Sequence, residues 1–110
     1  MTIESYADIR TLFSNCGVTA READFDKSKP VPYIAYYRSA ERYIRADGIT
    51  IYTVIKMAAE LYTKRGDTST EPAFEAYLRD SDIVFDKSER AFIEEESYYM
   101  TVYEFELVMS

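Results

Sequence analysis

Any reaction run by this chain would have to use carboxylates, lysine or a hard cation held on oxygen, because the sequence contains no histidine. Histidine is the usual general base, the usual partner of a serine or cysteine nucleophile and the commonest transition-metal ligand. Its absence removes ordinary triads and zinc centres. The 20 acidic residues supply material for carboxylate or magnesium chemistry, yet none falls in a recognisable motif. Glu94-Glu95-Glu96 is the densest group, but three successive carboxylates in an extended chain do not converge on one ion, and a solvated turn accounts for them. Glu60 is of more interest. It stands in Ala59-Glu60-Leu61-Tyr62, where a carboxylate among apolar neighbours needs a partner, and Arg38, Arg42 or Arg45 is the expected one. Cys16 reads as a small buried hydrophobe rather than a nucleophile. Gly17, Gly48 and Gly66 stand singly at the ends of elements, so no glycine-rich loop can cradle a phosphate. The expectation is a protein that is not an enzyme and holds no cofactor or metal.

The net charge of -7 argues against general nucleic-acid binding, which needs a surplus of lysine and arginine on one face. The charge is unevenly placed. Residues 1–65 carry 10 basic and 8 acidic side chains, whereas residues 66–110 carry 3 basic and 12 acidic ones. An acidic surface favours solubility. It also suits a head-to-tail contact in which Arg38, Arg42 and Arg45 of one copy meet Glu94, Glu95 and Glu96 of the next, and heterologous contacts of this kind close into rings.

The elements that must position these groups follow from periodicity. With 110 residues and 47% apolar content, one domain spanning residues 1–110 is expected, with a core that needs no metal or disulfide. No apolar run approaches the length that spans a bilayer, and the N-terminus lacks a secretory pattern. Tyr6, Ile9, Leu12, Phe13 and Cys16 form a helical stripe, with Ser5 and Asp8 as a capping box and Gly17 suited to the C′ position. Residues 18–31 read as a connection with room for a short strand, and as the segment with the most freedom.

From Pro32 onward aromatic and β-branched residues predict two short strands or one interrupted strand, through Tyr33–Tyr37 and Arg42–Arg45. Asp47-Gly48 suits a type I′ turn and so a hairpin. In residues 49–64 the set Ile49, Ile51, Thr53, Ile55, Met57, Ala59 and Leu61 alternates as the core face of a long strand, although Met57 to Leu61 would suit a helix by propensity. Arg65-Gly66-Asp67 ends this strand, and its match to an integrin-binding tripeptide is read as chance. Thr68 to Thr70 offer caps for a second helix running to about Asp80, with Phe74, Tyr77 and Leu78 on one face. A C-terminal meander then takes Ile83–Phe85, Ala91–Glu94 and Tyr99–Met109. The fold class is α+β, a mostly antiparallel sheet with two helices packed against it.

Eleven tyrosines and no tryptophan set this composition apart. Tyrosine joins an apolar body to a polar tip and is enriched where protein surfaces meet. Tyr6, Tyr33, Tyr52 and Tyr103 are expected to complete the core. The adjacent pairs Tyr36-Tyr37 and Tyr98-Tyr99 must present one ring to each face of a strand, so at least one of each pair is a candidate for a partner. The candidate subunit interface is therefore Tyr36, Tyr37, Arg38, Arg42, Arg45, Glu94, Glu95, Glu96, Tyr98 and Tyr99.

Several strings combine into a resemblance. These are Val31-Pro32-Tyr33-Ile34-Ala35-Tyr36-Tyr37, a strand ending before Ala46-Asp47-Gly48, Glu60-Leu61-Tyr62-Thr63, an acidic helix beginning with Glu71, and Tyr103-Glu104-Phe105-Glu106. Together they resemble the short tail-completion, or tail terminator, proteins of long-tailed bacteriophages and of prophages in Gram-positive bacteria. The likeness covers roughly residues 30–108 and leaves the first helix unmatched. It implies a domain with helices against a sheet, forming a hexameric ring at the head-proximal end of the tail tube. That ring stops tube polymerisation and joins the head connector. The implied partners are copies of itself, the tail tube protein and the head-tail connector protein, with DNA only passing through the lumen and no membrane. The implied location is the virion tail, after assembly in the bacterial cytoplasm. A head-completion or connector protein of the same virion, and an acidic inhibitor that mimics DNA, are the alternatives.

Overall fold

Helix α1 (Tyr6–Ser14) begins where Asp8 turns back on the chain: its carboxylate accepts the backbone N–H of Ser5 at 3.2 Å and of Glu4 at 2.8 Å. This satisfies donors that a helix start leaves open. The helix stops at the cap residue Asn15, so Gly17, with φ +87°, lies one residue beyond the C′ position expected for it. The computed structural model describes residues 3–24, 30–95 and 97–110. Strand β1 (Thr19–Glu22) is the short strand allowed for in the connection at residues 18–31, of which residues 25–29 lie outside the described residues.

Strands β2 (Tyr33–Ala46) and β3 (Ile49–Lys64) form one long hairpin. Asp47 and Gly48 both take left-handed angles, φ 53° and 76°, as a type I′ turn requires. The β2 segment is a single strand, interrupted by register shifts between Arg38 and Ala40 and between Ile44 and Arg45. Helix α2 (Thr70–Asp80) is capped from a residue upstream of the expected group. The Asp67 carboxylate accepts the N–H of Ser69 and of Thr70, both at 3.0 Å, and the Thr70 hydroxyl at 2.6 Å. These bonds hold Asp67 below the usual carboxylate range. They also engage the carboxylate that an Arg-Gly-Asp adhesion motif would have to display.

Strands β4 (Phe85–Lys87), β5 (Ala91–Ile93) and β6 (Tyr98–Met109) complete a six-stranded sheet of order β1-β2-β3-β6-β4, with β5 also on β6. The expected meander is corrected here. The two short strands do not pair with each other; both pair with β6, at Tyr103–Phe105 and at Tyr98–Met100, like one broken edge strand. Every pairing between named strands is antiparallel except β1 with β2. The chain is thus α+β, with a largely antiparallel sheet.

Both helices lie on one face. Ile9, Leu12 and Phe13 of α1 and Phe74 and Leu78 of α2 pack on Ile55, Met57, Ala59 and Leu61 of β3 and on Tyr103, Phe105 and Leu107 of β6. The Tyr77 hydroxyl donates to the Leu12 carbonyl at 2.6 Å, tying the helices together. Leu12, Phe13, Ile34, Ile55, Leu61, Phe74 and Leu78 are at most 1% exposed, and each contributes about 1.5–3 kcal/mol by burial. The opposite face carries a smaller cluster, Tyr33, Ala35, Tyr62 and Tyr98.

The hairpin sets the length of the molecule. The 16 residues of β3, at about 3.3 Å each, span roughly 50 Å, and the longest dimension is 52 Å. Strand β6 reaches only to Met109, opposite Thr53, so residues 44–52 continue as a two-stranded ribbon beyond the third strand.

Candidate assembly surfaces

The ribbon is where the core pattern fails. Thr53, Ile55, Met57, Ala59 and Leu61 are buried as the alternation requires, but Ile49 is 70% and Ile51 53% exposed. Alternation identifies a side only while the register holds: Tyr52 lies opposite Ile44 and Thr50 opposite Arg45, so Ile51 is an extra residue and Ile49 no longer follows the side of Thr53 and Ile55, while β6 ends too early to cover either. Tyr52 is also exposed there, as is Tyr43 level with the end of β6, so Tyr52 is not a core residue, and neither is Tyr6 at the start of α1. Tyr33 and Tyr103 are buried.

The three arginines expected to act together are separated. Residues four apart in a regular strand share a face, but the register shift at Ser39 inserts one residue between Arg38 and Arg42 and turns them to opposite sides. The Ser39 hydroxyl donates to the Lys56 carbonyl at 3.1 Å at this bulge. On the helix side, Arg38 lies 4.1 Å over the Tyr6 ring and pairs with Glu41 at 3.2 Å. On the open side, Arg42 pairs with Glu106 at 3.1 Å, beside a Lys56–Glu104 pair at 3.3 Å. Arg45, near the turn, lies 5.4 Å from the centre of the Tyr43 ring. Arg38 and Arg42 thus have carboxylate partners within their own chain.

Glu94 and Glu95 are exposed in the turn between β5 and β6, at the far end of the long axis from the Asp47-Gly48 turn; Glu96 lies outside the described residues. The tyrosine pairs divide as strand geometry requires. Tyr36 is buried and stacked on Phe13 with ring centres 4.0 Å apart, and Tyr98 is buried edge-on against Tyr62 at 5.5 Å, so neither has surface to offer a partner. Tyr37 and Tyr99 are half-buried. Tyr99 packs between Phe92, at 5.0 Å, and the Arg90 guanidinium, at 4.1 Å.

Glu60 has tyrosines for partners rather than an arginine. It accepts the Tyr62 hydroxyl at 2.5 Å and also bonds Tyr37. Burial, together with that hydrogen bond and the Glu60 charge, pushes Tyr62 far above the ordinary tyrosine value, so its phenol remains a donor. Burial likewise pushes the Cys16 thiol up and away from its reactive form. No group of three or more acidic or cysteine side chains among the described residues is arranged to hold a metal ion.

Two surfaces were not anticipated from the sequence. The first is an ionic staple over the helix side. Lys87 of β4 reaches Glu71 at 3.0 Å and Glu75 at 2.8 Å; Arg90 reaches Glu71 at 3.2 Å, and the buried Tyr103 hydroxyl donates to Glu75 at 2.8 Å. The second is an open groove of about 510 Å³ beside β4, lined by Lys56, Asp82, Val84, Asp86, Glu104 and Glu106 with Phe85 and Phe105 at its base. Val84 in its wall is 91% exposed. An acidic count in the sequence hinted at neither, because both depend on β4 pairing with β6 across a gap in the chain. No protein-family model and no curated protein sequence matches this chain.

Proposed function

We propose that this chain is a non-enzymatic structural subunit of a phage tail, a tail terminator that assembles with copies of itself, caps the tail tube and joins it to the head connector. The observation that carries this reading is the ribbon at residues 44–52. It projects past the third strand and exposes Ile49, Ile51 and Tyr52 to solvent. A two-stranded ribbon is marginal alone, and contiguous exposed apolar groups mark surfaces that a partner covers. In this reading DNA only passes through the lumen, and the protein resides in the virion.

An inhibitor that mimics DNA gains no support, because Glu41, Glu71, Glu75, Glu104 and Glu106 are paired with cations of the same chain. The test is solution mass by light scattering over a concentration series, followed by addition of the tail tube protein. A discrete species of six 12.8 kDa chains that halts tube growth is the expected result. Tube growth unaffected by the protein refutes the reading.

A further inference from the structure

We infer that two copies of this chain pair antiparallel through the open edge of β2, centred on Tyr43, so that Glu41 of each copy faces Arg45 of the other. The inference goes beyond the tail reading and stands without it: a two-fold pair is closed, so the head-to-tail contacts of a ring need other surfaces. Strand β1 covers the outer edge of β2 only as far as Tyr36, whose carbonyl accepts the Ala23 N–H at 2.7 Å. From Tyr37 to Ala46 no described strand lies on that side. Main-chain donors and acceptors left open along a strand edge are a template for another strand. The bulge at Ser39 interrupts the regular strand, so Ala40 to Ala46 is the stretch that can pair.

Charge along this edge selects a second copy as the occupant and fixes the register. When identical strands pair antiparallel in one continuous sheet, directly opposite residues lie on the same face, so the two-fold axis passes between one residue and its own copy. Of the centres inside this stretch, Glu41, Arg42 and Arg45 each set like charges directly opposite, and Ile44 sets Glu41 level with Asp47. Centring on Tyr43 instead sets Glu41 opposite Arg45 twice and Arg42 opposite Ile44.

The side chains are placed for this register. Glu41, Tyr43 and Arg45 share one face: the Tyr43 hydroxyl bonds Glu41 at 3.5 Å, and the Arg45 guanidinium lies 5.4 Å from the centre of the Tyr43 ring. Tyr43 is 52% exposed, and Arg45 makes no ion pair among the described residues. Glu41 is held by Arg38, at 3.2 Å to one oxygen, and by the Tyr6 hydroxyl. Its other oxygen lies beside Tyr43, where Arg45 of the second copy reaches it.

The test uses the full chain carrying Tyr43→Cys, which sets two thiols across the two-fold axis, oxidised with diamide. Wild type, whose Cys16 is buried, and Val84→Cys, at a 91% exposed position on the opposite edge of the sheet, measure collisional cross-linking. Tyr43→Cys should form a disulfide-linked dimer about tenfold faster than Val84→Cys, because pairing holds its two thiols together. In light scattering Arg45→Glu should weaken dimerisation by about tenfold and Arg45→Lys should keep it, with the circular dichroism spectrum of both unchanged.

Cross-linking no faster at Tyr43→Cys than at Val84→Cys, or a wild type that stays monomeric throughout the concentration series, overturns the pairing. A dimer that cross-links at Tyr43→Cys but leaves tube growth unaffected upholds the pairing and refutes the tail reading. A chain that halts tube growth without cross-linking there does the reverse.

Discussion

Replacing Lys87 with methionine removes the cation between two carboxylates while keeping most of the side chain's length and packing. Lys87 bonds Glu75 at 2.8 Å and Glu71 at 3.0 Å, and the two carboxylates are only 15% and 11% exposed. Exposed ion pairs contribute about 0–1 kcal/mol, and breaking fully buried ones costs about 3–5. The Lys87 side chain is 36% exposed, and Arg79 and Arg90 remain as weaker partners. The expected loss therefore falls between those classes, at about 2 kcal/mol, or roughly 8 °C in Tm for a domain of this size. The assay is urea unfolding followed by circular dichroism and tyrosine fluorescence, with Glu75→Gln and the double variant completing a cycle whose coupling should be about 1 kcal/mol.

The pH dependence supplies a second readout. Burial pushes Glu75 upward, but hydrogen bonds from Lys87 and Tyr103 and the charges of Lys87 and Arg79 outweigh it and hold its carboxyl below the usual range. A depressed carboxyl contributes stability above its unfolded value, about 4.3, and that contribution is lost as pH falls through the folded value. The Lys87 ammonium is raised, chiefly by its hydrogen bond to Glu75, so its contribution is lost as pH rises through the folded value. Lys87→Met should flatten both limbs. A loss under about 0.5 kcal/mol, of the size seen for ordinary surface substitutions, would refute the staple as the element that holds β4 and its groove wall on α2.

Phe13 is 1% exposed and stacks on Tyr36, so Phe13→Ala should cost about 3–5 kcal/mol and leave the chain largely unfolded at 37 °C by circular dichroism. At Gly48 an added methyl group would meet nothing within 4 Å, but φ is +76°. Gly48→Ala should therefore cost about 1 kcal/mol from the left-handed backbone alone, read as a small fall in urea midpoint with no change in slope. Tyr62 and Tyr103 are both raised, first by burial and then by hydrogen bonds to Glu60 and Glu75 respectively. In a spectrophotometric titration these two phenols should ionise only as the protein unfolds. The folded state then holds protons that the unfolded state has released, so stability should fall as pH rises past about 10.

Much of the architecture is local and therefore legible in the residues. Ser5 and Asp8 start a helix through bonds that span three residues, and Asp47-Gly48 makes its turn because those two residues tolerate left-handed angles. The alternation in β3 outweighs the helix propensity of Met57 to Leu61, because a strand with one apolar side has a face to bury. Glycine, histidine and cysteine usage bounded the chemistry in the same direct way. What the sequence left undetermined depended on contacts between distant residues. The bulge at Ser39, set by pairing with β3, turned Arg38 and Arg42 to opposite faces. The exposure of Ile49 and Ile51 follows from where β6 ends, sixty residues later in the chain. The groove and the Lys87 staple exist because β4 docks on β6 across α2, and the tyrosine partners of Glu60 follow from the same sheet. Alternation assigns sides only while the register holds, and only the assembled sheet decides where the register shifts and what lies on each side.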